Sequence, residues 1–142
     1  MEHQKNDLFT HIKTLEGHND CVNKVIPLTT DIIASCSIGL IRVWNTNTYK
    51  EETTSIKEDE DVFQICCTHK LKTKDEMIVG GYGQNILWFV NTKTFKKEKS
   101  VECCDCLIFN RIIELPNHHI AVNGTFSSTI DIIDTTHYIR IK

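Results

Sequence analysis

The sequence predicts an all-β protein built from about three copies of a four-stranded antiparallel sheet. The strongest observation is an internal repeat: NTNTYK begins at Asn45, NTKTFK at Asn91 and DTTHY at Asp134, which are 46 and 43 residues apart. The segments before these copies are short, rich in β-branched residues and separated by turn residues, which is typical of strands. A repeat of this period indicates an array of similar supersecondary units.

The order of elements is the same in each copy. Residues 31–44, 77–90 and 119–133 each read as an apolar run, a turn with small residues or glycine, and a second apolar run. No apolar stripe with a period of 3.6 residues persists, so helices are not predicted. The runs IIAS, MIVGG, ILWFV and IDII are apolar at successive positions, which predicts strands buried on both faces and therefore stacked sheets.

The segment TLEGHNDCVNKVIPLTTDIIASCSIGLIRVWN, residues 14–45, resembles one WD40 repeat. The Gly-His pair at 17–18 stands where that family has Gly-His, and the Trp-Asn pair at 44–45 stands where it has Trp-Asp. Ser35 falls at the serine of the second strand. The other two copies resemble the family in hydrophobic pattern and spacing. The resemblance implies a partial WD40-like β-propeller of about three four-stranded blades in an open or incomplete ring.

The resemblance also implies how the chain is divided. Val90 and Ile133 take the position of the tryptophan in the second and third copies. A polar insertion at 69–76 predicts a longer exposed hairpin loop in the second blade. The predicted units are an outer strand of a preceding or closing blade at 1–15, blade 1 at 16–56, blade 2 at 57–101 and blade 3 at 102–142.

His18, Ser35 and Trp44 are the residues that the resemblance assigns to a structural network tying blade 1 together. The aspartate that the family commonly adds is missing, because CSIGLI is one residue shorter than the usual turn and Ile38 stands near the expected acid. A buried imidazole and an indole N–H both need hydrogen-bond partners. We therefore expect Trp44 to be a packing residue, and His18 to bond to a backbone carbonyl or water.

Composition argues against several classes of function. The formal net charge is −3, whereas nucleic-acid-binding proteins usually carry a basic face. The first residues lack the apolar core of a signal peptide, and no apolar run approaches the ~18 residues of a membrane helix. Seven cysteines without a secretory signal predict reduced thiols and a cytoplasmic protein. We expect Cys21, Cys36, Cys66 and Cys67 to act as small apolar residues in or beside strands.

The candidates for chemistry favour structural interpretations. Cys103 and Cys106 have C-x₂-C spacing and zinc accepts cysteine and histidine, but adjacent histidines in a strand point to opposite faces. Strand-start cysteines and a hairpin turn that contains His118 and His119 are favoured over a metal site. The glycines at 80–83 lack the lysine and helix of a phosphate loop and indicate close packing. No cysteine–histidine pair stands out as a nucleophile, so neither a cofactor, a metal nor catalysis is predicted.

The densest charge run is Glu58, Asp59, Glu60 and Asp61. It maps to the loop between an outer strand and the next inner strand, on the face where the WD40 family often binds peptides. This run is a possible partner-binding loop that would attract a basic peptide. The alternative is a solvated loop.

The predicted function is a non-catalytic scaffold for interactions between proteins. One alternative is a substrate-recognition subunit of a larger complex, such as a ubiquitin ligase. Others are a hydrolase or metal enzyme, and a fragment of a longer propeller with no independent function. The expected partners are other proteins or peptides. Because propellers have about 4–8 blades, self-association with a second copy that completes the ring is a further expectation. Residues 8–15, LFTHIKTL, are the expected clasp.

Overall fold

The computed structural model describes residues 9–57, 65–83, 85–103 and 108–141. Within these ranges the chain forms twelve strands and no helix. The strands, in chain order, are β1 (Lys24–Pro27), β2 (Ile32–Ser37), β3 (Leu40–Asn45), β4 (Lys50–Lys57), β5 (Ile65–Lys70), β6 (Glu76–Gly81), β7 (Ile86–Asn91), β8 (Lys97–Glu102), β9 (Ile108–Leu115), β10 (His119–Thr125), β11 (Ile130–Asp134) and β12 (Ile139–Ile141).

The strands form three four-stranded antiparallel sheets, which confirms the predicted fold class. Each sheet contains four consecutive strands in the order in which they occur along the chain. We call the sheets blade 1 (β1–β4), blade 2 (β5–β8) and blade 3 (β9–β12). The first strands of the three blades lie side by side, because β5 contacts both β1 and β9. β4 and β8 each extend one residue past the predicted blade boundaries.

The strand register shows that the sequence repeat is also a structural repeat. Asn45 pairs with Ile32 at the end of the third strand of blade 1. Asn91 pairs with Glu76 in the same place in blade 2, and Asp134 pairs with His119 in blade 3. Positions can therefore be compared between blades by counting back from these three residues.

Each repeat copy forms a turn between the third and fourth strands, which we call the corner turn (45–49, 91–95 and 134–138). The side-chain oxygen of the first residue accepts hydrogen bonds from the N–H groups two and three residues later. The distances are 2.9 and 3.0 Å for Asn45, 2.8 and 3.0 Å for Asn91, and 2.7 and 3.2 Å for Asp134. Asn and Asp have short side chains that favour such turns, which explains why each copy of the repeat begins with Asn or Asp.

The last residue of each corner turn is aromatic and has a positive φ. The angle is 59° for Tyr49, 55° for Phe95 and 56° for Tyr138. Bulky residues with positive φ are uncommon, so a shared strained position points to a shared role for the side chain. The aromatic residue of the repeat therefore stands at the position where the turn has a positive φ.

Two apolar cores hold the blades together. One lies between blades 1 and 2 and the other between blades 2 and 3. Alternate residues of β6 belong to different cores. Met77 and Val79 pack toward blade 1, and Ile78 packs toward blade 3. All six residues of β6 are buried, which confirms the expectation of burial on both faces for this strand. The same expectation is wrong for β11, where Ile130 is 68% exposed.

The polar insertion of blade 2 contains a turn that is exposed at Lys72, Thr73 and Asp75, as predicted, but that also contacts blade 3. The β5–β6 turn packs against blade 3, with Leu71 only 3% exposed. Its backbone N–H at Lys72 donates to Glu114 Oε1 at 2.8 Å, and Lys74 Nζ donates to the carbonyl of Thr135 at 2.5 Å. The insertion thus combines solvent-exposed residues with hydrogen bonds to the neighbouring blade.

Residues 9–15 form no strand with any part of the chain that the structure describes. They run beside the outer part of blade 1, where residues 11–16 and the blade 1 corner turn line a shallow groove. An outer strand needs a neighbouring strand with free backbone groups. The outer strand predicted within 1–15, and its role as a clasp, therefore stay predictions that require a further blade.

Candidate functional site

The structure brings His18, Ser35 and Trp44 together in blade 1. Trp44 Nε1 donates to Ser35 Oγ at 2.7 Å, and His18 Nε2 lies 2.6 Å from the same oxygen. His18 Nδ1 lies 2.9 Å from Ser37 Oγ. Trp44 and Ser35 are buried at 4% and 5% exposure. With the Ser35 hydroxyl donating to Nε2, the Nδ1–H of a neutral imidazole donates to Ser37, and every polar atom of the group is satisfied.

The partner expected for His18 was wrong. A backbone carbonyl or water was predicted, whereas the second ring nitrogen bonds to the side chain of Ser37. Ser35 and Ser37 are two residues apart in β2, so both hydroxyls point to the same face. The Ser-Cys-Ser spacing was the signal in the sequence. Ile38, which stands near the position of the missing acid, is 46% exposed in the turn after β2.

Gly17 allows the chain to close over this network. A Cβ at Gly17 would lie 3.2 Å from Trp44 Cη2 and 3.3 Å from the Arg42 guanidinium carbon, and its φ is +155°. A larger residue would need both an unfavourable backbone angle and displaced neighbours. The Gly-His pair thus covers the indole with the chain's own backbone.

The environment of His18 favours the neutral imidazole. Burial lowers its pKa below the ordinary value of 6.5, and the nearby Arg42 guanidinium lowers it further, against an opposing effect of Glu51. In the folded state the ring therefore resists protonation as the solution is acidified.

We expect the free energy of unfolding to fall as the pH drops below 6.5. The unfolded chain takes up a proton at His18 near its ordinary pKa, whereas the folded chain takes it up only at a lower pH. The stabilising contribution is thus present above 6.5 and is lost as the pH falls through the lowered folded pKa. Denaturant titrations between about pH 7.5 and 5 measure the effect. His18→Gln should flatten the pH dependence, and His11→Gln, at an exposed histidine, should not.

Each blade carries a polar or cation–aromatic pair at one equivalent place between its third and fourth strands. The pairs differ in chemistry. They are Arg42–Glu51, with nitrogen and oxygen 2.6 Å apart, Trp88–Lys97, with Nζ 4.1 Å from the ring centroid, and Arg140–Asp131, at 3.2 Å. The register alone identifies them as equivalent. All three blades thus join the third and fourth strands by a side-chain pair at this place, although the residues differ.

The cysteines and histidines considered for metal binding do not form a group in the part of the chain that the structure describes. No cluster of three or more His, Cys, Asp or Glu suited to a metal ion occurs there. Cys103 is buried, His118 lies in the β9–β10 turn and His119 begins β10. Cys106 lies outside the described residues.

The other sequence candidates have mixed outcomes. Gly80 packs closely against Phe109, in agreement with the packing interpretation of the glycine run. Cys36 is buried in β2, whereas Cys21 is exposed and precedes β1. The acidic run Glu58–Asp61 lies outside the described residues. Among the residues placed by the structure, none belongs to a helix able to span a membrane.

The three inner strands form a groove that the sequence analysis missed. It has a volume of about 810 Å³ and is lined by residues 24–28, 68–72 and 110–114. Lys24, Lys72 and Arg111 are exposed along it. The groove depends on strands that are about 40 residues apart in sequence, so no local pattern reveals it. The only signal was a basic residue in or beside the first strand of every blade.

Among the residues that the structure describes, Glu114 is the carboxylate that lines the groove, and its neighbours engage it. Glu114 Oε1 lies 2.9 Å from His69 Nε2 and accepts the backbone N–H of Lys72 at 2.8 Å. Lys70 directs its Nζ to the carbonyls of Leu71 and Lys74 at 2.6 and 2.5 Å. The remaining lysine and arginine side chains give the surface a positive charge in a chain whose net charge is −3.

Comparison with solved structures supports the fold. A structure titled "Crystal structure of WD40 beta propeller domain of Doa1" superimposes with a TM-score of 0.75 over 90% of this chain, at 15% sequence identity. The chain has a WD40-like β-propeller fold. It spans 42% of the Doa1 chain, so it matches part of a propeller. No family model and no curated protein matches the sequence.

Proposed function

We propose that this chain is a non-catalytic scaffold that binds acidic, extended peptide segments of other proteins along the groove of its inner strands. The observation that carries the proposal is the exposed basic surface formed by β1, β5 and β9. A WD40-like fold is compatible with many functions, so the fold alone does not assign one. The charge and shape of the groove supply the specific argument.

The groove combines charge with exposed apolar side chains. Val25 is 53% exposed and Ile113 is 45% exposed, and both line the groove together with Lys24 and Arg111. A peptide with alternating acidic and apolar residues would place carboxylates on the cations and bury these two side chains. Complementary charge raises the rate of association and selects between partners. The volume falls within the range of typical ligand sites, although this groove is open.

The finer possibilities remain proposals alongside this one. The acidic residues 58–61 would attract a basic segment instead, on a separate loop. Recognition of substrates for a larger complex, such as a ubiquitin ligase, would use the same groove. We retain the cytoplasmic location as part of the proposal, because the sequence favours reduced cysteines.

Binding of fluorescent peptides measured by anisotropy tests the proposal. We expect an acidic-apolar peptide to bind more tightly than its lysine-substituted counterpart. The double variant Lys24→Glu/Arg111→Glu should weaken binding by about tenfold or more, since both changes reverse charges at the groove. The matched control is Lys50→Glu/Lys99→Glu, which makes the same charge change on exposed outer strands.

Two results would overturn the groove proposal. One is equal binding by the groove variant and its control, which would show that only the net charge of the protein matters and not the position of the charges. The other is no binding of acidic peptides at about 100 µM, far above the affinities of specific interactions. Preferential binding of the basic peptide would instead favour the loop at 58–61.

A further inference from the structure

A carboxylate of the protein itself is bound in the groove. Oε1 of Glu114 in β9 lies 2.9 Å from His69 Nε2 in β5 and accepts the backbone N–H of Lys72 at 2.8 Å. A carboxylate has acceptor oxygens and no N–H to give, so the imidazole nitrogen is the donor of the first contact. We call His69 Nε2–H and the Lys72 backbone N–H the donor pair. Their contact with Glu114 shows how the groove holds an acidic side chain.

The turn that carries the Lys72 N–H is held by contacts other than those of Glu114. Lys70 Nζ donates to the carbonyls of Leu71 and Lys74 at 2.6 and 2.5 Å. Leu71 is 3% exposed and belongs to the core between blades 2 and 3, which fixes the start of the turn. A group that is held in its binding geometry before the ligand arrives loses little freedom on binding. The Lys72 N–H is therefore a preorganised donor at the groove.

The contact between His69 and Glu114 is not a general requirement of neighbouring blades. Counting back from the corner turns, Ile26 of blade 1 takes the position of His69, and Lys70 of blade 2 takes the position of Glu114. Ile26 is buried in the core between blades 1 and 2. The side chains of His69 and Glu114 instead keep 28% and 18% of their surface exposed. A polar contact that solvent reaches adds little stability, so its place in the groove points to binding.

We propose that the donor pair is a binding site for a side-chain carboxylate of the partner, and that Glu114 occupies this site until the partner displaces it. The inference rests on the proposed function, the binding of acidic segments in the groove. Glu114 leaves by rotation about its own side-chain bonds, and an Asp or Glu of the partner accepts the same two hydrogen bonds. Lys24 and Arg111 are exposed in the same groove and bind further carboxylates of the segment.

Glu114 thus competes with the partner for the donor pair. Because the exchange breaks as many hydrogen bonds as it forms, it adds no net affinity while Glu114 is present. The partner must gain its affinity at further contacts, such as those to Lys24 and Arg111, so the site favours segments with more than one acidic residue. Removal of Glu114 should therefore raise the affinity for the partner. Loss of a contact that only holds the blades together would leave the affinity unchanged or lower it.

Fluorescence anisotropy with an acidic-apolar peptide whose two ends are capped tests the displacement, because only its side chains then supply carboxylates. We expect Glu114→Ala to bind the peptide at least about fivefold more tightly than the parent chain. The matched control is Glu114→Gln, which removes the same charge but keeps an oxygen that the donor pair can hold, so its gain should be smaller. Circular dichroism establishes that both variants are folded. Equal gains would show that only the charge of Glu114 opposes the peptide, and weaker binding by Glu114→Ala would show a structural contact; either result would overturn the proposal.

A small carboxylate tests the donor pair without a peptide. Acetate at about 100 mM should raise the unfolding temperature of Glu114→Ala relative to the same concentration of chloride, since it binds the folded chain. The same comparison on the parent chain corrects for the general effect of acetate on stability. Equal responses of the two proteins would overturn the carboxylate site. An acetate response of Glu114→Ala, together with no peptide binding by any of the proteins, would instead contradict the proposed function and support the site.

The Lys72 amide resonance gives a readout in the unaltered chain, which holds even if Glu114→Ala does not fold. NMR titration of the parent chain with the acidic-apolar peptide should shift this resonance, because the N–H exchanges one acceptor for another. The lysine-substituted peptide should not shift it. Peptide binding without a shift of the Lys72 resonance would overturn the displacement of Glu114 and leave the proposed function standing.

Discussion

Replacing Trp44 with alanine should lower the free energy of unfolding by about 3–5 kcal/mol, the usual cost of removing a large buried aromatic residue. The indole is 4% exposed, and the backbone at Gly17 packs against its far edge. The change leaves a cavity on the outer half of blade 1 and removes the N–H that bonds to Ser35. Denaturant titration followed by circular dichroism measures the loss.

Two further variants separate the causes of this loss. Trp44→Phe keeps most of the ring and removes the N–H, so it should cost much less than alanine, with about 1 kcal/mol from the hydrogen bond. Trp88→Ala removes a tryptophan that is only half-buried, beside Lys97, and should also cost less. A loss below about 1 kcal/mol for Trp44→Ala would show that the His18–Ser35–Trp44 group does not stabilise blade 1.

The features that the sequence predicted well are local ones. The corner turn depends on an Asn or Asp side chain that bonds to N–H groups two and three residues later. Such a turn is visible as a short motif, and its repetition revealed the number and the order of the sheets. The contact between Trp44 and Ser35 was expected from the WD40 resemblance, and it too is local, since the two residues lie nine positions apart on adjacent strands.

The features that the sequence did not predict depend on neighbouring blades. The hydrogen bond from Lys72 to Glu114 joins residues 42 positions apart, and the one from Tyr138 to Glu76 joins residues 62 apart. The contacts that residues 69–76 make with blade 3 were not predicted, because their partners belong to another repeat. The basic groove was missed for the same reason, since its three lining segments, residues 24–28, 68–72 and 110–114, lie about 40 residues apart in sequence.

The loss of tryptophan from blades 2 and 3 also has a physical explanation in the packing. Val90 takes the position of Trp44 in blade 2 and is fully buried in the core between blades 1 and 2. A neighbouring blade covers it, so a small side chain fills the space. Trp44 is covered by the Gly-His segment at 17–18, whose backbone at Gly17 lies against the indole.

Adding a single methyl group at Gly80 should destabilise the contact between blades 2 and 3 by about 1–3 kcal/mol, the typical cost of overpacking. Gly80 lies inside β6, and its backbone does not have a positive φ. The cause is space: a Cβ would lie 2.7 Å from Phe109 Cδ2, 2.8 Å from Cγ and 2.9 Å from Cβ. Phe109 is 1% exposed and belongs to the core between the two blades, so its ring has little room to move.

A double-mutant cycle with Phe109→Leu tests this explanation, because leucine removes the ring atoms that the new methyl group would meet. Phe109→Leu alone should destabilise the chain by leaving space in the core. Combined with Gly80→Ala, it should cost less than the sum of the two single changes, since the methyl group then occupies part of that space. Thermal and denaturant unfolding of all four proteins measure the coupling. Strictly additive effects would show that Gly80 is required for a property of the β6 backbone and not for the close approach of blade 3.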